Sequence, residues 1–475
     1  MHDVETPSLA GTARINGRTA LATLVYLGFA LQLLQVGVLP LLPVIGRSLH
    51  ASTVSTSWIL TGELLAGAVF LAALTRLADL IGKKPVIVLA MALVLAGCVI
   101  DSFADTFPVL MIGRVLMGAQ LPMLALPEAI ASDTMPPARA HTAISSIHSG
   151  TGLGIAAGLL LAAIIGVHPQ NWHLFFVVAA VASLVGIVAT LAFVRDSPAR
   201  AGGGLDIPGA ALLTVALVAL LLGLSEGPAW HWGSPRVIGL LAGGLIAGAL
   251  WWWLERKVRH PLIDVAYLTR AEIRLPYLMT FLVAFGVYGS LSAVTRLVQT
   301  PLASGFGYGW SSLTAGWFAL PQAVGSLVGL VVLRTARRRG LVLTTAIGCA
   351  AITIAFVGFA AGHAHPVLEL ASLGVDSMGL AIALAATQLL VLSVVSRAAS
   401  GIGLGLSVVM YAIGNSVGSA VVGVFFAGLT GPTGQPALSS YLASFAVCGL
   451  LALIAFGLCQ PLARQRAARA EAVAV

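Results

Sequence analysis

The chain has 475 residues, of which 59% are hydrophobic and 9% are charged, and its formal net charge is +8. A soluble domain carries about 25% charged residues, so this chain has too few charges to cover the surface of a water-soluble fold. The composition excludes an ordinary soluble domain and predicts an all-α membrane protein, because side chains that face lipid need no charge.

Fourteen apolar stretches follow one another, each near the length of about 20 residues that a membrane-spanning helix needs. They are spans 1 to 14, at 20–45, 53–74, 85–104, 107–130, 141–166, 173–194, 206–226, 236–254, 274–298, 311–333, 341–362, 367–394, 401–427 and 437–460. A β-barrel is excluded, because its strands alternate in polarity and have only about 10 residues. The first 19 residues are polar, which indicates a tail rather than a cleavable signal peptide.

The positive charges of the chain are distributed unevenly between its loops. Of the 25 lysines and arginines, only Arg47 and Arg236 fall in loops that would face outside, and Arg114 and Arg296 fall within spans. The other 21 lie in segments that would face the cytoplasm. Cytoplasmic loops of membrane proteins carry such an excess, so the pattern predicts an even number of spans with both termini in the cytoplasm. The net charge is therefore a sign of topology, and we expect no nucleic-acid partner.

Signs of enzyme chemistry are absent from the sequence. The longest internal loop, near 255–273, has about 19 residues, whereas a separate domain needs about 50. The chain has no Walker A loop, HExxH helix or nucleophile elbow, so neither ATP-driven transport nor an enzyme is predicted. The cysteines at 98, 349, 448 and 459 are too far apart for a disulfide framework or a metal site, and we expect no metal and no cofactor.

Short motifs occur in order along the first seven spans. The loop between spans 2 and 3 (the 2–3 loop) reads Thr75-Arg76-Leu77-Ala78-Asp79-Leu80-Ile81-Gly82-Lys83-Lys84. Span 4 contains Arg114-Val115-Leu116-Met117-Gly118. Span 5 carries Gly150, Gly154 and Gly158, which lie on one face because they recur every four residues. Later come Asn171-Trp172-His173-Leu174-Phe175-Phe176, Asp206-Ile207-Pro208-Gly209 and Ser225-Glu226-Gly227.

In this order the motifs resemble those of the major facilitator superfamily. The 2–3 loop is similar to G-x-L-A-D-R-x-G-R-K, span 4 to RxxxG, and span 5 to the antiporter motif GxxxGPxxG. The later motifs resemble the fourteen-span drug:proton antiporter branch. The resemblance covers residues 20–460. It implies the major facilitator fold, a small-molecule substrate carried across the cell membrane, protons as a partner, and a monomer.

The resemblance also implies an arrangement of the spans. Two six-span bundles, 20–194 and 274–460, would flank two inserted spans at 206–254, with cytoplasmic tails at 1–19 and 461–475. Halves of six spans are parallel repeats in this superfamily. The basic loop between spans 10 and 11, Arg334 to Gly340, falls at the position in the second half that matches the 2–3 loop.

Some residues depart from the family pattern. Thr75 replaces the first glycine of the loop motif, Leu80 replaces its arginine, and Ile155 stands where the antiporter motif has proline. Span 1 reads Leu34 to Pro43 without the aspartate that the branch usually has there. These departures leave the coupling to protons open.

The 2–3 loop and the glycines of span 5 have two interpretations each. In the family this loop latches one state, with Asp79, Gly82, Lys83 and Lys84 as its gating residues. Asp79 could accept hydrogen bonds from a helix N-terminus, where the helix dipole favours an anion. The alternative is a solvated turn that only sets topology. The glycine stripe lets a second helix approach closely, either for gating or simply for packing.

Ionisable groups inside the spans are the best pointers to function, because each costs about 2.5–3.5 kcal/mol to insert. Glu63, Arg114 and Asp376 lie deepest. Glu63 is about 15 Å from the outer end of span 2 and Arg114 about 10 Å from that of span 4, so we expect an ion pair between these spans. Glu128 lies near the cytoplasmic end of span 4, and for His148 we expect a packed, hydrogen-bonded role.

The family fold lines its cavity with the first helix of each three-helix series, here spans 1, 4, 9 and 12. Polar residues of these spans are Gln32, Gln35, Arg114, Gln120, Arg296, Gln299, Asp376 and Gln388. They are candidates for substrate contact, and the alternative is that they join helices by hydrogen bonds.

The leading hypothesis is proton-coupled export of small amphipathic compounds by alternating access. Asp376 is the first candidate for the proton-coupling acid, by elimination, and Glu63 is the second, because Arg114 would hold it ionised. A rival interpretation pairs Asp376 with Arg296 as a structural lock. Two other functions stay open: uptake of a metabolite or organic anion through Arg114 and Arg296, and a lipid-handling or sensory protein that transports nothing.

Overall fold

The computed structural model describes residues 17–51, 53–166, 168–197, 206–258, 271–310, 317, 319–363, 365–395, 400–429 and 436–474. Helices occupy nearly all of these segments. In the order of the fourteen predicted spans they are Gly17–Gly37, Thr53–Ile81, Lys83–Ser102, Phe107–Met117 with Leu126–Thr134, Pro137–Gly166, His173–Phe193, Ile207–Trp230, Pro235–Glu255, Ala271–Gln299, Ala319–Ala336, Leu341–Gly362, Pro366–Leu392, Ser400–Gly428 and Leu438–Ala474.

Membrane crossing can be judged from the length and composition of these helices. Among the described residues, eleven helices are long and apolar enough to span a bilayer. Two shorter apolar helices, Pro208–Leu224 and Ile273–Gly286, lie within spans 7 and 9. The prediction of an all-α membrane fold is therefore confirmed. The last helix continues to Ala474, so most of the predicted tail 461–475 is helical.

The apolar interior is divided between the two halves of the chain. One buried cluster runs from Leu24 to Val194 and is built by spans 1–6. A second runs from Met279 to Leu462 and is built by spans 9–14. A third cluster joins residues of both halves and of spans 7 and 8, among them Leu71, Ala129, Leu217, Tyr277 and Leu404. The two halves and the inserted pair are thus packed together through this third cluster.

Two tight turns mark the same end of the molecule. Gly82, between spans 2 and 3, has a φ of 113°, and Gly340, between spans 10 and 11, has a φ of 123°. Side chains other than glycine rarely adopt these values, so glycine permits the next helix to begin at once. We call the end that carries Gly82 and Gly340 the inner end, and the opposite end the outer end.

Span 4 is not a continuous α-helix, although the sequence predicts one. Its first part, Phe107–Met117, is followed by a 3₁₀ helix, Gly118–Leu124, and then by Leu126–Thr134. Pro122 lies inside the 3₁₀ segment and Pro127 in the first turn of the last part. Proline has no backbone N–H to donate and its ring crowds the preceding turn, which explains the break.

The glycine stripe of span 5 lies against span 1. A Cβ atom on Gly150, Gly154 or Gly158 would clash with the carbonyl oxygens of Val25, Phe29 and Leu33, respectively. Only glycine therefore allows the two backbones to approach this closely, which is how small residues support helix packing in membranes.

Candidate functional site

A cavity lies between the two halves, and its empty space, including the part that is open to solvent, is about 670 Å³. Spans 1, 4 and 5 of the first half and spans 9, 10, 12 and 13 of the second line it. The polar lining residues are Gln32, His148, Thr151, Thr280, Gln322, Ser326, Ser377, Gln388 and Tyr411. Leu124, Ile155, Leu380, Leu384 and Val408 supply the larger apolar surface. Such a mixture suits a small organic molecule with both apolar and hydrogen-bonding parts.

The lining agrees only partly with the sequence-based candidates. Gln32 and Gln388 line the cavity, and Asp376 directly precedes Ser377, which does. Gln35 is buried in span 1 away from the lining. Arg296 and Gln299 are exposed, and the guanidinium of Arg296 lies 5.3 Å from the ring centre of Phe426.

Arg114 and Gln120 are absent from the lining because they bind Glu63. The guanidinium of Arg114 forms an ion pair with the Glu63 carboxylate, and the amide of Gln120 donates to the same carboxylate. Nε of Arg114 also donates to the carbonyl of Ile59 at 3.2 Å, and its guanidinium carbon lies 5.8 Å from the ring centre of Phe176. The structure therefore contains the expected pair, inside the first half of the protein.

Glu128 has a position that the sequence did not indicate. Nε2 of His148 lies 2.9 Å from Oε1 of Glu128, and both side chains are buried. His148 lines the cavity, so this carboxylate reaches the cavity wall through its histidine partner. Its contact with His148 could not be derived by counting along a continuous α-helix, because the 3₁₀ segment rotates the residues that follow it about the axis of span 4.

Several lining residues come from spans that the family pattern did not single out. Gln322 and Ser326 lie on span 10 and Tyr411 on span 13. Gln322 could have been identified as a lining candidate from the sequence, because its polar amide lies within an apolar stretch. Two other buried carboxylates were not among the sequence-based candidates: Asp101 and Glu369 lie near the outer ends of spans 3 and 12, and their oxygens have no hydrogen-bond partner among the described residues.

The 2–3 loop is held by carboxylates at the inner ends of spans 2, 4 and 6. Nζ of Lys83 lies 3.7 Å from Asp79 and 2.6 Å from Asp133. The backbone N–H of Lys84 donates to Asp196 at 3.0 Å. Lys83 and Asp79 are fully buried, so neither is part of a solvated turn.

One expectation for this loop needs correction. The side chain of Lys84 contacts span 6, where its Nζ donates to the carbonyl of Leu191 at 2.9 Å. Within the described residues, the Asp79 oxygens accept no hydrogen bond from a helix N-terminus. Span 13 does pass close by, since a Cβ atom on Gly405 would lie 3.5 Å from the Thr75 side chain.

Side chains also connect the two halves directly. Arg337, in the loop after span 10, donates to Oγ1 of Thr142 in span 5 at 2.9 Å. Partial burial, together with the charges of Arg334 and Arg338, lowers the pKa of Arg337 from its ordinary value. Deeper in the bundle, a Cβ atom on Gly152 would clash with Ser326. The halves are thus in contact on the inner side of the cavity.

Known relatives are named for resistance and export. The tetracenomycin C resistance and export protein of Streptomyces glaucescens is 28% identical over 399 residues, covering 82% of this chain and 72% of that protein. The multidrug resistance protein Stp of Mycobacterium tuberculosis is 28% identical over 441 residues, covering 89% and 78%. A uridine/deoxyuridine transporter of Lactococcus lactis is 29% identical over 350 residues, covering 71% and 72%.

Solved structures share the fold of this chain, and a sequence model identifies its family. The human organic anion transporter MFSD10 has a similar structure, with a TM-score of 0.68 and 19% identity over 93% of this chain and 99% of its own. The proton:xylose symporter XylE gives a TM-score of 0.64 and 12% identity over 92% and 94%. Residues 21–419 match the sequence model of the Major Facilitator Superfamily. The chain belongs to the Major Facilitator Superfamily, a family of multi-pass membrane transporters.

Proposed function

We propose that this protein exports small, uncharged amphipathic compounds across the cell membrane, as a monomer of the fourteen-span drug:proton antiporter branch. The observation that carries the proposal is the cavity between the two halves, lined by amides, hydroxyls and aliphatic side chains. Both termini and the inner end would face the cytoplasm, in keeping with the distribution of lysine and arginine.

The chemistry of the lining favours uncharged substrates. The side chains of Gln32, Gln322 and Gln388 can each donate and accept hydrogen bonds, so they suit carbonyl and hydroxyl groups alike. Among the described lining residues none is a carboxylate, so a cation would find no opposite charge directly at the wall. The names of the tetracenomycin C and multidrug relatives agree with export of organic compounds.

Alternating access would open and close the two ends in turn. The third apolar cluster and the contact between Arg337 and Thr142 join the two halves, and we infer that such contacts keep the inner side of the cavity closed in one state. We infer that the 2–3 loop, held through Asp79, Lys83 and Asp133, is one of the contacts that a change of state must rearrange. Gly82 and Lys84 would fix its position against span 6.

Asp376 is the first of the two acids proposed to couple transport to protons. It lies on span 12 beside the cavity-lining Ser377. The described residues hold no ion pair between Asp376 and Arg296, so the rival structural lock lacks its contact. Glu63, the second candidate, is bound by Arg114 and Gln120 inside the first half and does not line the cavity, which makes it the poorer candidate.

Uptake remains the second candidate function. The amide-rich cavity would also suit a nucleoside, and one relative is named as a uridine/deoxyuridine transporter. Export and uptake differ in the side from which the substrate is loaded, so vesicle orientation separates them.

The test uses everted membrane vesicles that contain the full chain, with an imposed pH gradient that is acidic inside. We expect tetracenomycin C to accumulate inside these vesicles, and to reach only its equilibrium level when the gradient is collapsed. Uridine and the cation ethidium serve as comparison compounds, and vesicles without the protein are the control. Accumulation of uridine in right-side-out vesicles alone would replace export by uptake.

A further inference from the structure

Glu128 and His148 meet at the wall of the cavity. Glu128 lies in the last part of span 4, after the 3₁₀ segment, and His148 lies in span 5. Their nearest charged atoms are 2.9 Å apart, and the exposed fractions of the two side chains are 1% and 8%. The second oxygen of Glu128 has no hydrogen-bond partner among the described residues. The carboxylate therefore depends mainly on the histidine.

The surroundings of the pair contain few other groups that can titrate. Among the described lining residues, Tyr411 of span 13 is the other ionisable side chain, and spans 1, 9, 10 and 12 contribute amides, hydroxyls and aliphatic groups. Described ionisable groups of the packed helices that lie off the lining are Arg18, Tyr26, Arg114, Asp133, Arg139, His141, Arg274, Tyr277, Arg296, Arg334, Glu369 and Asp376. Arg114 is paired with Glu63, and both tyrosines donate to backbone carbonyls.

We propose that the Glu128–His148 pair is a proton-binding site of the cavity wall and links protonation to the opening of the cavity. With one proton more than a carboxylate and a neutral imidazole hold between them, the pair of Glu128 and His148 has no net charge. A second proton converts the carboxylate to a carboxylic acid and leaves the charge of the imidazolium. Loss of the first proton leaves a carboxylate beside a neutral imidazole.

Either charged form is costly inside a closed apolar cavity, and water stabilises it when the cavity opens. The number of bound protons therefore changes when one side of the cavity becomes accessible. In an export cycle the pair takes a proton from outside as the substrate leaves and gives one up inside. This role in the cycle rests on the proposed function, whereas the proton site itself does not.

The first experiment follows the titration of His148 in the purified full-length protein in lipid nanodiscs. Histidine labelled with ¹³C and ¹⁵N gives an NMR signal for each ring, and His148→Gln identifies the signal of His148 by its loss. We expect Glu128→Gln to change the pH dependence of this signal, because the variant removes a carboxylate in direct contact with the ring. Equal midpoints in both proteins would overturn the proposal.

Two further variants serve as controls for this experiment. His141→Gln changes another histidine of span 5, off the lining, and should leave the His148 titration where it is in the wild type. If Glu128→Gln does not fold, Glu128→Asp replaces it in the experiment. This variant keeps the charge but shortens the side chain by one methylene group, so the midpoint should move by a smaller amount. No movement in either Glu128 variant would again contradict the pairing.

The second experiment measures transport with tetracenomycin C in everted vesicles. In His148→Gln we expect the accumulation driven by the pH gradient to fall to the level reached without a gradient. Exchange of labelled for unlabelled tetracenomycin C at equal pH, even at a reduced rate, shows that the variant is folded. Accumulation at the wild-type ratio would overturn the coupling role. If the wild type transports none, the export proposal fails and the NMR titration still decides the proton site.

Discussion

At the scale of single residues, the ion pair between Glu63 and Arg114 explains how the protein tolerates two charged side chains inside its membrane spans. Arg114 is fully buried and Glu63 is 2% exposed, so neither has water to replace a lost partner. Removing one partner of a buried pair strands the other, at a cost of about 3–5 kcal/mol, whereas removing both leaves no stranded charge.

We therefore expect Glu63→Gln and Arg114→Gln each to lower the thermal unfolding temperature, and the double variant to lower it by less than their sum. Tryptophan fluorescence during heating of the purified protein measures this. Gln120 should matter less, so Gln120→Leu is a useful comparison, because it removes a neutral donor to Glu63. Strictly additive losses would contradict a coupled pair.

Asp376 presents a different case at the same scale, because no described residue forms an ion pair with it. If it carries the coupling proton, Asp376→Asn should retain substrate exchange at equal pH but lose accumulation against a gradient. If it is structural, the same change should lower the yield or the unfolding temperature and leave the pH dependence of the remaining transport as it was. Vesicle assays with tetracenomycin C and a thermal unfolding curve distinguish the two.

At the scale of elements, the 2–3 loop and its counterpart after span 10 form a natural comparison. Gly82 and Gly340 both have positive φ, but a Cβ atom on Gly82 would also collide with the Asp196 carboxylate, whereas one on Gly340 has no atom within 4 Å. The backbone strain from alanine should be similar at the two positions, about 1–3 kcal/mol, because their φ and ψ values are nearly equal.

Gly82→Ala should consequently destabilise the protein more than Gly340→Ala, because only the first displaces a carboxylate that binds the Lys84 N–H. The difference between the unfolding temperatures of the two variants measures the contribution of the Asp196 contact, because the backbone strain is common to both. Transport should slow in Gly82→Ala to a greater degree as well. Equal effects would mean that the attachment of the loop to span 6 adds nothing beyond turn geometry.

The sequence predicted elements better than contacts. The apolar lengths gave fourteen helical positions, and a helix is described at each of them. The direction in which each side chain points was harder to predict, because the depth of a residue along its own span does not determine which neighbouring helix it contacts. Arg296 and Gln299 were placed on a cavity-lining span but are exposed at its outer end, and Gln322 of span 10 took part in the lining instead.

At the scale of the whole molecule, contacts between the halves on the inner side can be tested by cross-linking. The four native cysteines are buried, so cysteines introduced at Thr142 and Arg337 should react selectively. A short, reducible bifunctional thiol reagent that joins them should stop transport, and reduction should restore it, because the bond would hold the inner side closed. Each single variant treated with the reagent is the control. Undiminished transport by the linked protein would contradict a gating role for this contact.

Topology is the second test at this scale. Single cysteines near residues 168 and 231 should react with impermeant reagents from outside, and those near 80 and 337 only from inside. A cysteine near residue 260, which lies outside the described residues, should also react only from inside. The expectation follows from the excess of lysine and arginine in the inner loops. An inverted pattern at any site would remove the fourteen-span arrangement.

The 3₁₀ segment of span 4 changes how positions along that span are to be counted. Its seven residues rise about 14 Å and turn about 840°, against about 10.5 Å and 700° for an α-helix of equal length. Residues 126–134 are thus displaced by about 3.5 Å along the axis and about 140° around it from where a helical wheel drawn through Arg114 puts them. Pro122 does not line the cavity, yet the 3₁₀ segment that contains it determines how the inner part of span 4 is oriented, including the Glu128 side chain that contacts His148. A substitution of Pro122 that restored a continuous α-helix would therefore reorient every residue that follows it in span 4.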